Sequence, residues 1–194
     1  MKNSTLVAFV FFLILPHAHA FDKISSYQNA KHPPFYSENF PIDSWGHTPQ
    51  LAEARAFFRY RDGNNGLLTN EHGYQTQNHT LQQAKSGSVN FYIMKDSEWI
   101  KAEVKINYKT ETCIHARKIV SADFNNDNLI DFAFMCQGYD AMPFPGEKMK
   151  ILLSKSEAEY DFQTLHDDVD FYHGGGSEDF NGDGLPDLHC RNNA

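Results

Sequence analysis

The sequence lacks the short motifs that mark the common classes of enzyme. Its 194 residues contain no H-E-x-x-H metalloprotease motif, no C-x-x-C pair and no glycine-rich loop that would cradle a phosphate. A G-x-S-x-G nucleophile elbow is also absent, so the stretch His173-Gly-Gly-Gly176 has no nucleophile to serve as a lipase-type oxyanion loop. These absences predict a protein that is not an enzyme.

Basic residues are outnumbered by acidic ones. The chain has 17 Lys and Arg against 25 Asp and Glu, which gives a formal net charge of −8 at pH 7. Nucleic acids and anionic membrane surfaces attract basic proteins, so we expect neither as a partner. The acidic run Asp167, Asp168 and Asp170 beside His166 is more typical of a solvated edge than of an acid/base cluster.

Long apolar runs are restricted to the N-terminus. Residues 1–20 have the features of a secretory signal peptide: Lys2, an apolar region from Leu6 to Leu15, and the A-x-A cleavage site Ala18-His19-Ala20. We therefore predict cleavage after Ala20. Because no other apolar segment is long enough for a membrane span, we expect a secreted or periplasmic protein.

Cysteine is scarce as well. Three cysteines in an exported chain allow one disulfide and leave one thiol unpaired. Cys113 and Cys136 lie on either side of the first of two acidic loops, so a disulfide between them would join the two chain segments that flank this loop. We predict this pair and a free Cys190, and a fully reduced set of cysteines is the alternative.

One nine-residue pattern, in contrast, is present twice. Asp or Asn occupies positions 1, 3, 5 and 9 in residues 123–131 and again in residues 179–187, and Leu occupies position 7. Ca²⁺ binds about six to eight oxygen atoms, and short side chains on alternate residues of a tight loop can supply them together. The predicted ligands in the first loop are Asp123, Asn125, Asp127, the Leu129 carbonyl and Asp131. Those in the second loop are Asp179, Asn181, Asp183, the Leu185 carbonyl and Asp187.

Two further positions refine this pattern. Position 6 is Asn128 or Gly184, which are residue types that tolerate the positive φ of a sharply folded loop. Position 12, where an EF-hand needs a bidentate Glu, is Phe134 or Cys190. The apolar run that follows the first loop favours a strand, so we predict that each loop joins two strands as a hairpin. Ordinary turns rich in Asp, Asn and Gly are the alternative.

The second loop begins 56 residues after the first, which indicates a repeated unit. Strands predicted at residues 148–154 and 161–165 complete about four short strands per period, as in a β-propeller blade. Residues 88–94 and 99–107 match the outer strands of a preceding unit.

The loop of that preceding unit would contain Asp62 and Asn64. Because Gly66 stands at its third ligand position, we interpret it as a plain turn or a decayed copy. Residues 50–59, just before this turn, fit a helix or a strand equally well.

Both loops, with their flanks, resemble the FG-GAP/VCBS repeats of bacterial exported proteins, which are related to the propeller blades of integrin α-subunits. The matching segments are residues 121–133 and 175–188, with weaker support from residues 115–118, 138–140 and 143–146. The resemblance covers residues 88–190 well and residues 49–87 only weakly. It implies a mostly β fold, a partial β-propeller of four-stranded antiparallel blades. In this fold the hairpin loops named above would hold two structural Ca²⁺ ions.

The implied organisation is a signal peptide (1–20), an irregular segment (21–48) and about two to three blades, the last incomplete (49–194). Residues 21–48 fit either an extended segment across the blades or an aromatic platform for a carbohydrate. Because propellers of this family close with about seven blades, we expect a truncated relative. Self-assembly or a partner protein that completes the ring is the alternative.

The expected function is that of an exported, non-enzymatic calcium-binding repeat protein, a binding, adhesion or structural module for an extracellular or envelope protein or glycan. The alternative is a truncated or accessory part of an exported polysaccharide-active hydrolase or lyase whose catalytic residues lie outside this chain.

Overall fold

Eleven β-strands and one 3₁₀ turn make up the regular structure of residues 54–71 and 80–192, which are the residues that the computed structural model describes. The predicted signal peptide and the predicted irregular segment 21–48 lie outside the described residues. The strands are β1 (Ala54–Arg59), β2 (Asn65–Asn70), β3 (Val89–Lys95), β4 (Glu98–Lys101), β5 (Lys105–Tyr108), β6 (Ala116–Ala122), β7 (Asp131–Cys136), β8 (Glu147–Ser156), β9 (Glu159–Asp170), β10 (Tyr172–Glu178) and β11 (Asp187–Asn192). The 3₁₀ turn spans Leu81–Gln83.

The strands form three sheets. The first sheet is the four-stranded antiparallel meander β1-β2-β3-β4. The second has the order β5-β9-β8-β7-β6, in which β6 to β9 repeat the antiparallel meander and β5 pairs with β9 in parallel. The third is the hairpin β10-β11. The mostly β fold with antiparallel sheets, predicted from the sequence, is confirmed.

The second sheet buries both of its faces, and β7 shows this most clearly. All six residues of β7 are buried. Phe132 and Phe134 belong to a core shared with the first sheet, whereas Ala133 and Met135 belong to a second core shared with Tyr172 of β10. Burial on both faces explains why the five residues of β7 after Asp131 form a continuous apolar run with no polar alternation. Each fully buried Phe stabilises the fold by about 1.5–3 kcal/mol.

The third sheet approaches β7 closely through the glycines of β10. A Cβ atom added to Gly175 would lie 2.9 Å from the sulfur of Met135 and 2.5 Å from the carbonyl oxygen of His189. The segment His173-Gly-Gly-Gly176 is therefore part of a strand whose backbone packs against its neighbour. This packing accounts for the glycine at position 175, whereas an added Cβ on Gly174 would meet nothing within 4 Å.

One segment differs from the strand predicted for it. Residues 99–107, predicted as one strand, are split, because β4 ends at Lys101 and β5 begins at Lys105 in a different sheet. Acidic side chains on β9 attract β5: Lys105 contacts Glu159 at 2.8 Å, and Lys109, just beyond β5, contacts Asp161 at 2.9 Å. The second sheet thus has a fifth strand that the predicted four-stranded unit lacked.

Residues 54–59 adopt the strand alternative and not the helical one, pairing with β2 along their whole length.

The predicted cysteine pair lies at disulfide-bonding distance. The Cα atoms of Cys113 and Cys136 are 5.5 Å apart, and both residues are fully buried at the base of the β6-β7 hairpin. Cys190 is exposed and unpaired, as expected. Within the described ranges, no helix is long and apolar enough to span a membrane.

Candidate metal centres

Both acidic loops connect the two strands of an antiparallel hairpin, in the same register. Ala122, the residue before the first loop, pairs with Asp131 at position 9. Glu178 pairs with Asp187 in the same way around the second loop. Position 12 of each loop, Phe134 or Cys190, lies in the following strand and not in a helix. The hairpins predicted for the two loops are therefore present.

The backbone folds around the acidic side chains in the same way in both loops. In each, the N–H of position 5 donates to the carboxylate at position 1 and to the amide oxygen at position 3, at distances of 2.8–3.1 Å. The N–H of position 6 donates to the carboxylate at position 1, and the N–H of position 7 donates to the carboxylate at position 5. The N–H of position 2 donates to the carboxylate at position 9. This shared network winds each loop tightly around its oxygen atoms.

Two residues of each loop have positive φ. At position 6, Asn128 has a φ of 63° and Gly184 a φ of 87°. Position 4 was not singled out from the sequence, yet Asn126 has a φ of 60° and Gly182 a φ of 77°. Asn and Gly are the residues best suited to this left-handed conformation, so their presence at position 4 of both copies was a signal that could have been used.

The predicted ligands of each loop are all oxygen donors, which hard cations prefer. One group of side chains elsewhere in the described residues is compact enough to hold a metal ion. It consists of Cys113, Cys136 and Glu147, whose ligand atoms lie within 4.8 Å of one another. The two cysteines there are paired with each other, which argues against metal binding at that place. In each loop the three carboxylates do not all come within 4.8 Å of one another, and each accepts hydrogen bonds from backbone N–H groups.

The surroundings of the first loop involve a residue that the sequence did not reveal. Ser154 of β8 donates both its backbone N–H and its hydroxyl to Oδ1 of Asp131, each at 2.8 Å. Both residues are buried, with exposed fractions of 2% for Ser154 and 0% for Asp131. Burial raises the pKa of Asp131, and the bonds from Ser154 oppose that shift. The nine-residue pattern could not predict this contact, because Ser154 lies on another strand.

The first loop also contacts the first sheet through the β1-β2 turn. A side-chain nitrogen of Arg61 donates to the carbonyl oxygen of Asn128 at 3.2 Å, and its backbone N–H donates to Glu157 at 2.7 Å. In that turn the Asp62 carboxylate accepts both the backbone N–H and the side-chain amide of Asn64. The turn is thus closed by its own side chains, which favours the plain-turn interpretation of this stretch.

The other acidic group considered in the sequence is exposed. The side chains of Asp167 and Asp168 are 93% and 92% exposed, and Asp167 pairs with Lys148 at 2.9 Å. His166 lies 3.7 Å from Asp168. This arrangement fits the solvated edge predicted for it.

A half-buried carboxyl group that the sequence did not indicate is Glu147, at the start of β8. Its side chain accepts the N–H of Ile114 at 2.8 Å, beside the Cys113–Cys136 pair. Burial raises its pKa to about 7, and hydrogen bonds from the backbone together with nearby Lys150 only partly oppose this shift. Glu147 therefore titrates near neutral pH, in a part of the fold separate from the loops.

Comparisons with protein-family models, with curated proteins and with solved structures find no match for this chain.

Proposed function

We propose that this protein is an exported calcium-binding repeat protein of the FG-GAP/VCBS type, in which calcium has a structural role. The observation that carries the proposal is the structural agreement between the two loops. They lie 56 residues apart in the chain, yet they share five hydrogen-bond types, the same hairpin register and positive φ at positions 4 and 6. Ordinary turns would not need to agree in all these respects.

The arrangement of the strands supports a propeller-like order of the units. Each sheet contains an antiparallel hairpin, and the edge strand β6 of the second sheet contacts both β1 and β10. Successive sheets also pack face to face through the two cores. Adjacent edge strands and face-to-face packing are features of successive propeller blades, so we interpret the sheets as two blades and one hairpin of a third.

The donor set fits calcium better than it fits a softer metal. Each loop offers three carboxylates, one amide oxygen and one backbone carbonyl, with no thiolate or imidazole, and Ca²⁺ prefers such oxygen ligands. Bound calcium would supply positive charge that offsets the repulsion among the three carboxylates of each loop. Because all five of these oxygen donors would be committed to the ion, we assign the calcium a structural rather than a catalytic role.

The role of the folded module is then to present a surface to a protein or glycan at or beyond the cell envelope. An acidic, exported chain with calcium-ordered loops suits that environment, where calcium modules commonly bind with dissociation constants of about 10⁻⁴ to 10⁻³ M. No chemistry is required of the loops beyond holding the hairpins in shape.

The test is thermal unfolding of residues 21–194 with excess calcium and with a chelator, together with a measured stoichiometry of binding. We expect two calcium ions per chain. At a calcium concentration of about 100 times Kd, each site should raise the unfolding midpoint by about 5–10 °C.

The double variant Asp127→Ala/Asp183→Ala should lose both the binding and the shift, whereas the matched control Asp168→Ala should keep them. Absence of calcium binding by a folded wild-type chain would disprove the proposal.

A further inference from the structure

The two loops share a sequence pattern, but their carboxylates have different neighbours. In the first loop, Asp131 is fully buried and receives two hydrogen bonds from Ser154, whose hydroxyl also lies 3.4 Å from Asp127. These contacts come from β8, which pairs with β7 directly behind the loop. One of the three carboxylates of the first loop, that of Asp131, is therefore oriented by a residue outside the loop.

A second contact from outside holds the opposite side of the first loop. Arg61 bonds the carbonyl oxygen at position 6, which is Asn128, next to the Leu129 carbonyl that we propose as a ligand. Glu157, in the turn between β8 and β9, in turn accepts the backbone N–H of Arg61. The first loop is thus fixed to the neighbouring sheet as well as to its own.

The second loop has neither support. Among the described residues, every hydrogen bond to its carboxylates comes from within residues 179–187. Its position 9, Asp187, is partly exposed, whereas Asp131 is buried. No strand of the described chain pairs with β11 on the side where β8 pairs with β7.

We infer that Ser154 and Arg61 are positioning residues that preform the first loop, so that the first loop binds calcium more tightly than the second. The inference rests on the proposed calcium-binding function. Outer partners that orient metal ligands commonly change metal affinity by about 10–100-fold when they are removed. A loop that is already ordered also loses less conformational freedom on binding. Finally, a buried carboxylate gains more from a cation than an exposed one does.

The test uses variants that each disable one loop, so that the calcium affinity of the other loop can be measured alone. Affinity is measured by competition with a chromophoric chelator. Asp183→Ala leaves the first loop intact, and Asp127→Ala leaves the second. We expect the first loop to bind calcium at least about tenfold more tightly than the second.

On the Asp183→Ala background, Ser154→Ala should weaken binding by about tenfold or more, and Ser154→Thr, which keeps the hydroxyl, should restore it. Arg61→Ala should weaken binding by about two- to fivefold, because its side chain is exposed. The matched control Arg59→Ala should leave it unchanged.

The second loop supplies the internal control. In the Asp127→Ala background, Ser154→Ala and Arg61→Ala should not alter calcium affinity, whereas a general loss of structure would weaken both loops. Equal affinities of the two loops, or an unchanged affinity of the first loop in Ser154→Ala, would overturn the inference while leaving calcium binding intact. Absence of calcium binding in both single-loop proteins would instead overturn the proposed function itself.

Discussion

Glu147 combines burial with a position next to backbone N–H groups at the base of the β6-β7 hairpin. Its pKa in the folded protein is about 7, against 4.5 for a free side chain. The folded state therefore binds the proton more tightly than the unfolded state does. Stability from this group is fully present below about pH 4.5 and is lost as the pH rises through 7.

We predict that Glu147→Gln removes this pH dependence. At pH 8 the variant should be more stable than the wild type, by about 2–3 kcal/mol, because no half-buried carboxylate has to ionise. At pH 4.5 the two proteins should have similar stability. The measurement is urea unfolding at both values of pH with Glu103→Gln, an exposed control, in parallel. A stability difference independent of pH would rule out ionisation of Glu147 as its cause.

Asn128 illustrates a constraint set by backbone conformation. With a φ of 63°, it occupies a region that strains residues with a Cβ atom other than Asn and Asp. We predict that Asn128→Ala destabilises the protein by about 1 kcal/mol, whereas Asn128→Gly is tolerated. Denaturant unfolding of both variants would test this, and equal losses in both would show that the Asn side chain itself matters.

At the scale of elements, β5 depends on side chains to remain in the second sheet. Asp161 on β9 contacts Lys109 at 2.9 Å and Lys155 at 3.4 Å, and it also accepts a hydrogen bond from Asn107 of β5. The contact with Lys109 is the main reason that the pKa of Asp161 falls to about 2. The stability supplied by this carboxylate is present above about pH 4 and is lost as the pH falls toward 2.

We predict that Asp161→Ala loosens β5 without unfolding the sheet. Amide hydrogens of residues 105–108 should exchange faster, because the lysines and Asn107 lose their shared acceptor. Amides of β7 should keep their protection. Hydrogen exchange followed by mass spectrometry is the measurement, with Asp168→Ala as an exposed control, and unchanged exchange in β5 would contradict this role.

The elements that the sequence predicted well depend on local information. The spacing from Asp123 to Asp131 lies within one loop, so both the hairpin and its tight winding could be inferred from it. Ser154 lies 23 residues from Asp131, and no local pattern links the two. The same holds for β5, whose transfer to the second sheet follows from charged contacts more than 50 residues apart. The periodicity of apolar residues along the sequence carries no information about non-local contacts of this kind.

At the scale of the whole molecule, the state of the cysteines can be read by chemical labelling. Cys190 is exposed, whereas Cys113 and Cys136 are buried and paired. We predict that iodoacetamide adds one label per chain to the native protein. After denaturation and reduction, all three cysteines should react. Intact mass spectrometry would count the labels, and Cys190→Ser should remove the native one. More than one label on the native protein would contradict the pairing.

The contacts of β6 with both β1 and β10 have a consequence for how the molecule unfolds. When repeated units contact only their neighbours, stability approximates a sum of unit terms and interface terms, and loss of structure can spread from either end. Damage to the middle sheet would then weaken two interfaces, whereas damage to the β10-β11 hairpin would weaken one. Among the three described sheets, we expect stepwise unfolding to start at the hairpin with the less supported loop, and the calcium that we propose there would oppose it.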